Sequence, residues 1–151
     1  MNVLRIYVEN SVIGGYFNEG FDEPTKELFE LFREGVYKPV ISSHVINELE
    51  EGAPEFVKAV LTTIDYEIYD VNDEILNLAK QYIFENIVTE KYFGDALHIA
   101  IATVVGVDVL VSWNFKHIVN LGKIRLFNAV NLKQGYKILE IRTPKEVLKN
   151  G

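Results

Sequence analysis

The stretch "GDALHIAIATVVGVDVLVSW", residues 94–113, constrains this chain more than any other. Its first part, 94–107, is apolar almost all round, which predicts a helix buried on every side. The run "DVLVSW", 108–113, follows at once and reads as a strand covered on both faces, the pattern of a parallel sheet. A helix and a strand of this kind need other layers to bury them.

The rest of the chain supplies those layers. "VLRIYV", 3–8, reads as a first strand, with Asn10 or Ser11 capping a short helix after it. "EPTKELFELFREG", 23–35, sets Leu28, Leu31 and Phe32 at helical spacing, with Pro24 in the first turn and Gly35 as a stop. "KPVISSHV" gives a short strand around Pro39–Ile41. Ser42 or Ser43 then caps a helix carrying His44 to Leu49, and a further helix follows the break at Gly52 and Pro54. "DYEIYDV", 65–71, alternates as a strand. The helix at 72–86 puts Ile75, Leu78, Ala79 and Tyr82 on one face. After a polar stretch beyond Asn114, "YKILEIRTP" reads as a last strand and "PKEVLKN" as a terminal helix. Strands alternate with helices throughout, so the expectation is one α/β domain over 1–151 with a mostly parallel sheet covered on both faces.

Composition removes several classes of chemistry. The chain has no cysteine, which excludes disulfides, thiolate metal sites and cysteine nucleophiles. No apolar run approaches the roughly 20 residues that cross a bilayer. The N-terminus lacks the length and small-residue cleavage site of a signal peptide, so the expected location is cytoplasmic. The formal net charge is −7. A domain that holds nucleic acid by charge alone is basic, so any RNA or DNA contact here is local or metal-bridged.

Ligands of open α/β sheets bind at the carboxyl ends of the strands. Four polar residues fall at that edge. Glu9 ends the first strand, Glu48 lies in the helix after the second, Asp95 opens the buried helix, and Asn114 follows "DVLVSW". Each has a plain explanation when taken singly: a solvated strand end, a wet helix face, a charge complementing a helix dipole. Together they place three carboxylates and an amide oxygen at one predicted edge. Hard oxygen ligands of this kind suit Mg²⁺ and Mn²⁺, which hold phosphodiesters and activate water.

At these residues the chain resembles the PIN-domain family, and within it the VapC-like toxins. The resemblance is carried by "YVENSVIGGYF", "ISSHVINELE", "GDALHIAIA" and "LVSWNFKHIVN", in family order over nearly the whole chain. It implies a three-layer α/β/α fold and a Mg²⁺- or Mn²⁺-dependent endoribonuclease. It also implies an RNA substrate, an antitoxin protein as partner and a homodimer. Carried over by position, it assigns Glu9, Glu48 and Asp95 as metal ligands and Asn114 as the fourth catalytic position, where many members have Asp. Ser11 and Ser112 match small hydroxyl residues lining the same pocket. Two positions depart from the pattern. The first acidic residue is usually Asp, and Glu9 reaches about 1 Å further, an error that can cost ~100-fold in rate. Asn114 lacks a charge, although "SWNFKH" looks like a variant of one branch. The alternative expectation is therefore a catalytically weakened domain that binds protein or RNA.

Other residues are read more plainly. His44 and His98 stand at metal-ligand spacing from Glu48 and Asp95, but each is expected as a hydrogen-bonded core histidine. Lys116 and His117, with Lys123 and Arg125, form a local basic group suited to an RNA backbone. "IGGYF" lacks the spacing of a phosphate-binding loop. No serine has the histidine and aspartate of a hydrolase triad around it in the sequence.

Overall fold

A computed structural model describes residues 3–150, with side chains through Leu148. Residues 1, 2 and 151 of the expected domain lie outside the described residues. Strand β1 (Leu4–Val8) is central and its last three side chains are fully buried. Helices α1 (Asn10–Gly15) and α2 (Asp22–Arg33) lead to β2 (Tyr37–Ser42), which pairs parallel with β1. Helices α3 (Ser43–Gly52) and α4 (Glu55–Lys58) and a 3₁₀ turn precede β3 (Glu67–Tyr69), parallel to β2. The chain then crosses back through α5 (Asp73–Phe84) and α6 (Phe93–Val105) to β4 (Val109–Val111), on the other side of β1. Helix α7 (Leu121–Lys133), β5 (Glu140–Arg142) and α8 (Pro144–Asn150) complete the described chain.

The sheet order is β3-β2-β1-β4-β5, and every pairing is parallel. Strand order reverses at β1. Right-handed crossovers on either side of that point put their helices on opposite faces. Two packed groups result: α2 against α1 and α8, and α5 against α6 and α7. The α/β/α expectation therefore holds. So does the buried helix: α6 is buried without a break from Ala96 to Thr103 and stops at Gly106, whose φ of +78° is a left-handed conformation that suits glycine.

Local signals account for most helix starts. Ser42 accepts from Val45 N at 3.2 Å to cap α3, and Asn72 accepts from Ile75 N at 2.9 Å to cap α5. Two expectations fail. Neither Asn10 nor Ser11 caps α1; Glu9 occupies that position without a side-chain cap bond. Asn10 instead donates to Val45 O at 2.9 Å, tying α1 to α3. The polar stretch after Asn114 also contains a helix that the sequence reading passed over. Asn120 caps α7 through Lys123 N at 3.1 Å. That helix buries Asn128 and Asn131 while exposing Leu121, Leu126 and Leu132, so it carries no clean apolar stripe.

Candidate active site

The topological switch lies between β1 and β4, and ligand crevices of open parallel sheets form there, beyond the strand ends. Glu9 leaves β1 at this point and is only 4% exposed. Two serines hold it. Ser112, fully buried, donates to Glu9 Oε1 at 2.7 Å, and Ser11 donates to the same oxygen. Both serines also grip the loop after β4: Ser11 Oγ accepts from Trp113 N and Ser112 Oγ from Asn114 N, each at 2.9 Å. The hydroxyls thus orient a carboxylate and splice the ends of two strands.

Asp95 lies in the first turn of α6, half-buried, within the field of Glu9. Burial pushes its carboxyl above the ordinary range, and the Glu9 charge adds to the rise. His98, His117 and the Asn114 amide pull the other way without cancelling it. Asn114 has a double role. Its Oδ1 accepts from His117 N at 3.0 Å, and its side chain draws the Asp95 carboxyl down against the rise. Among the described residues no lysine or arginine forms a salt bridge with Glu9 or Asp95.

Glu48 belongs to a different neighbourhood. Its Oε1 lies 2.7 Å from His98 Nε2, and its Oε2 lies 3.7 Å from His44 Nε2. Burial alone would raise this carboxyl; the His98 hydrogen bond and the fields of both histidines outweigh it and hold it below the ordinary range. His98 is 1% exposed, and its Nδ1 meets Tyr7 Oη at 2.8 Å. Tyr7 Oη meets Ser42 Oγ at 2.8 Å. A chain of hydrogen bonds therefore runs from the α3 cap through the sheet to Glu48. The sequence identifies Ser42 as a cap but not its link to Tyr7 and His98, because nothing in their spacing relates residues 7, 42 and 98.

Among the described residues, His44, Glu48 and His98 form a group whose ligand atoms all lie within 4.8 Å of one another. The trio Glu9, Glu48 and Asp95 does not form a group of that tightness.

The basic group takes its own shape. His117 stacks on Tyr92, ring centroids 3.9 Å apart, and Lys116 Nζ stands 5.9 Å from the centre of the Tyr92 ring. Both ring nitrogens of His117 are buried without a hydrogen-bond partner. A cavity of 530 Å³ lined by Tyr92, His117 and Lys123 opens beside them. A larger groove of 1240 Å³ along α2 reaches Trp113 but includes none of the three carboxylates.

No family model and no curated protein sequence matches the chain. Among solved structures, VapC20 of Mycobacterium tuberculosis, a sarcin–ricin-loop-cleaving toxin, is similar with a TM-score of 0.54. The match covers 74% of this chain and 92% of VapC20, at 18% identity. Identity that low speaks to architecture alone. With its five parallel strands and two helical layers, the chain has the fold of a VapC-type PIN domain.

Proposed function

We propose that this chain, taken over 1–151 as one PIN-like domain, is a divalent-metal-dependent endoribonuclease of the VapC type. One observation carries the reading. Glu9 and Asp95 come from different elements, sit within each other's field at the switch point, and have no lysine or arginine to neutralise them. Two such carboxylates repel each other, and a divalent cation between them relieves the repulsion. The donor set is oxygen-rich and suits Mg²⁺ or Mn²⁺. Glu9 and Asp95 would hold the ion, with Glu48 completing the acidic set.

Bound there, such an ion polarises a phosphodiester and lowers the pKa of water, making it a nucleophile. The chain's own residues do the positioning. Ser11 and Ser112 fix one oxygen of Glu9, and Asn114 steadies Asp95. Lys116 and the Tyr92–His117 stack flank the Asp95 side, where an RNA backbone and an unstacked base find charge and an aromatic face. VapC20 is a toxin in its own right; the same role here, with an antitoxin partner and a homodimeric state, is part of this proposal.

The test is a calorimetric Mn²⁺ titration of metal-free protein, wild type beside Asp95→Asn, followed by cleavage of structured RNA. The expected result is Mn²⁺ binding and cleavage in the wild type, both lost in the variant. Full cleavage by Asp95→Asn overturns the assignment. A second reading is a binding module with a weakened site. It is favoured by Asn114, whose oxygen is already engaged by His117 N. Under that reading Glu9→Asp brings a large gain of activity from nothing.

A further inference from the structure

His44, Glu48 and His98 invite a separate assignment. Two imidazoles and one carboxylate are the donor set of zinc-like ions and fit magnesium poorly. The ligand atoms are gathered: all lie within 4.8 Å of one another, with His98 Nε2 2.7 Å from Glu48 Oε1 and His44 Nε2 3.7 Å from Glu48 Oε2.

The surroundings are built for ligands. Gly94 faces the cluster: a Cβ there would meet Glu48 Oε2 at 3.3 Å and the His44 ring at 3.7 Å. A bare glycine lets the start of α6 pass the site without crowding it. The rings of His44 and His98 lie close, centroids 4.4 Å apart. Access comes from the Glu48 side, whose side chain is 35% exposed.

His98 also has the outer partner a ligating histidine needs. As the hydrogen bonds stand, a neutral His98 donates from Nε2 to Glu48 and accepts at Nδ1 from Tyr7. The Tyr7 and Ser42 contacts run equally well in reverse, while the Glu48 side is then left for an ion. With the proton on Nδ1, His98 donates to Tyr7 Oη, and Tyr7 donates to Ser42 Oγ. That oxygen has a second lone pair for Val45 N. His44 likewise moves its proton from Nε2, now on Gly94 O at 3.1 Å, to Nδ1. No proton is lost; the His98 Nε2 lone pair then faces Glu48, and the His44 ring must turn from Gly94 O to present its own.

We propose that His44, Glu48 and His98 form a second metal site, selective for borderline ions such as Zn²⁺ or Co²⁺, with Tyr7 and Ser42 orienting His98. The site shares Glu48 with the acidic set of the nuclease reading but uses neither Glu9 nor Asp95, so Asp95→Asn tells the two apart.

The experiment is a Co²⁺ titration of the purified full chain followed by visible absorption. Nitrogen-15 NMR of the histidine rings runs in parallel during Zn²⁺ addition. The expected result is cobalt absorption bands that saturate, vanish in His44→Ala and persist in Asp95→Asn. Zn²⁺ shifts the His98 proton from Nε2 to Nδ1. Tyr7→Phe keeps the bands but weakens Co²⁺ binding by ~10–100-fold. His98→Gln removes a buried ring and can fail to fold, so His44→Ala and Tyr7→Phe carry the test. Absence of bands at millimolar Co²⁺ overturns the proposal. So do bands that survive His44→Ala, or bands lost in Asp95→Asn, which assign the ion to the carboxylates. Mn²⁺ binding and RNA cleavage report on the nuclease reading separately.

Discussion

Two polar clusters lie along α6, one at each end. At the first turn, Asp95 lies within the field of Glu9, and His98 reaches Glu48. Toward the far end, Thr103 Oγ1 accepts from Asn131 Nδ2 at 3.3 Å, Asn131 also bonds Asn128 at 3.2 Å, and Tyr82 donates to Asn131. Asn128 finishes that second cluster by pairing both backbone groups of Leu139, at 2.7 and 3.0 Å. The distal cluster is neutral and closed on itself. The proximal one holds like charges together and leaves both His117 nitrogens unpartnered. Closed networks fix a fold, whereas a cluster that keeps uncompensated charge is arranged for something outside the chain.

Four substitutions break or sharpen the contrast. Asp95→Asn has the largest expected effect: cleavage falls by about 10²–10³-fold or more in a single-turnover assay. The same change raises the melting temperature at neutral pH. The folded Asp95 carboxyl titrates above its unfolded value, so its favourable contribution is complete below the unfolded pKa and lost as pH rises through the folded one. The thermal gain of the variant therefore shrinks toward zero as pH falls to about 4. A variant that melts lower at neutral pH contradicts the repulsion.

Asn131→Ala acts on the other cluster. It strands Tyr82 Oη and takes one of two donors from Asn128 Oδ1, lowering stability by roughly 1–3 kcal/mol in urea unfolding while Mn²⁺ affinity stays unchanged. Ser112→Ala removes one of the two hydroxyls on Glu9, with an expected loss of about 10-fold in Mn²⁺ affinity by calorimetry. Tyr82→Phe is the mildest. It costs ~1 kcal/mol of stability and leaves RNA cleavage at the wild-type rate.

Legibility differed between these regions. The carboxylates could be found in the sequence because apolar runs mark where elements begin and end: Glu9 follows the first strand and Asp95 opens the buried helix. Helix α5 was readable from its apolar face and α6 from its unbroken apolar run. Helix α7 was not, because its buried face mixes Asn128 and Asn131 with Phe127 and Val130 while its solvent face carries leucines, which blurs the usual pattern. The distal cluster depends on that helix and was lost with it. Around the site, the serines were legible as positions but not as donors to one oxygen of Glu9. The Ser42–Tyr7–His98 chain joins three elements through side chains alone, and no periodicity records such a link.

The edges of the sheet bear on how this molecule meets others. Both outer strands, β3 and β5, are three residues long. Glu67 on β3 is clasped by Arg5 at 2.7 Å, and on β5 Glu140 and Arg142 pair at 2.6 Å. Short, charged borders offer little backbone for a foreign strand to zip onto. An associating protein, whether another copy or a different chain, must therefore recognise this domain through its helical surfaces and loops, where side chains rather than backbone ladders decide who binds.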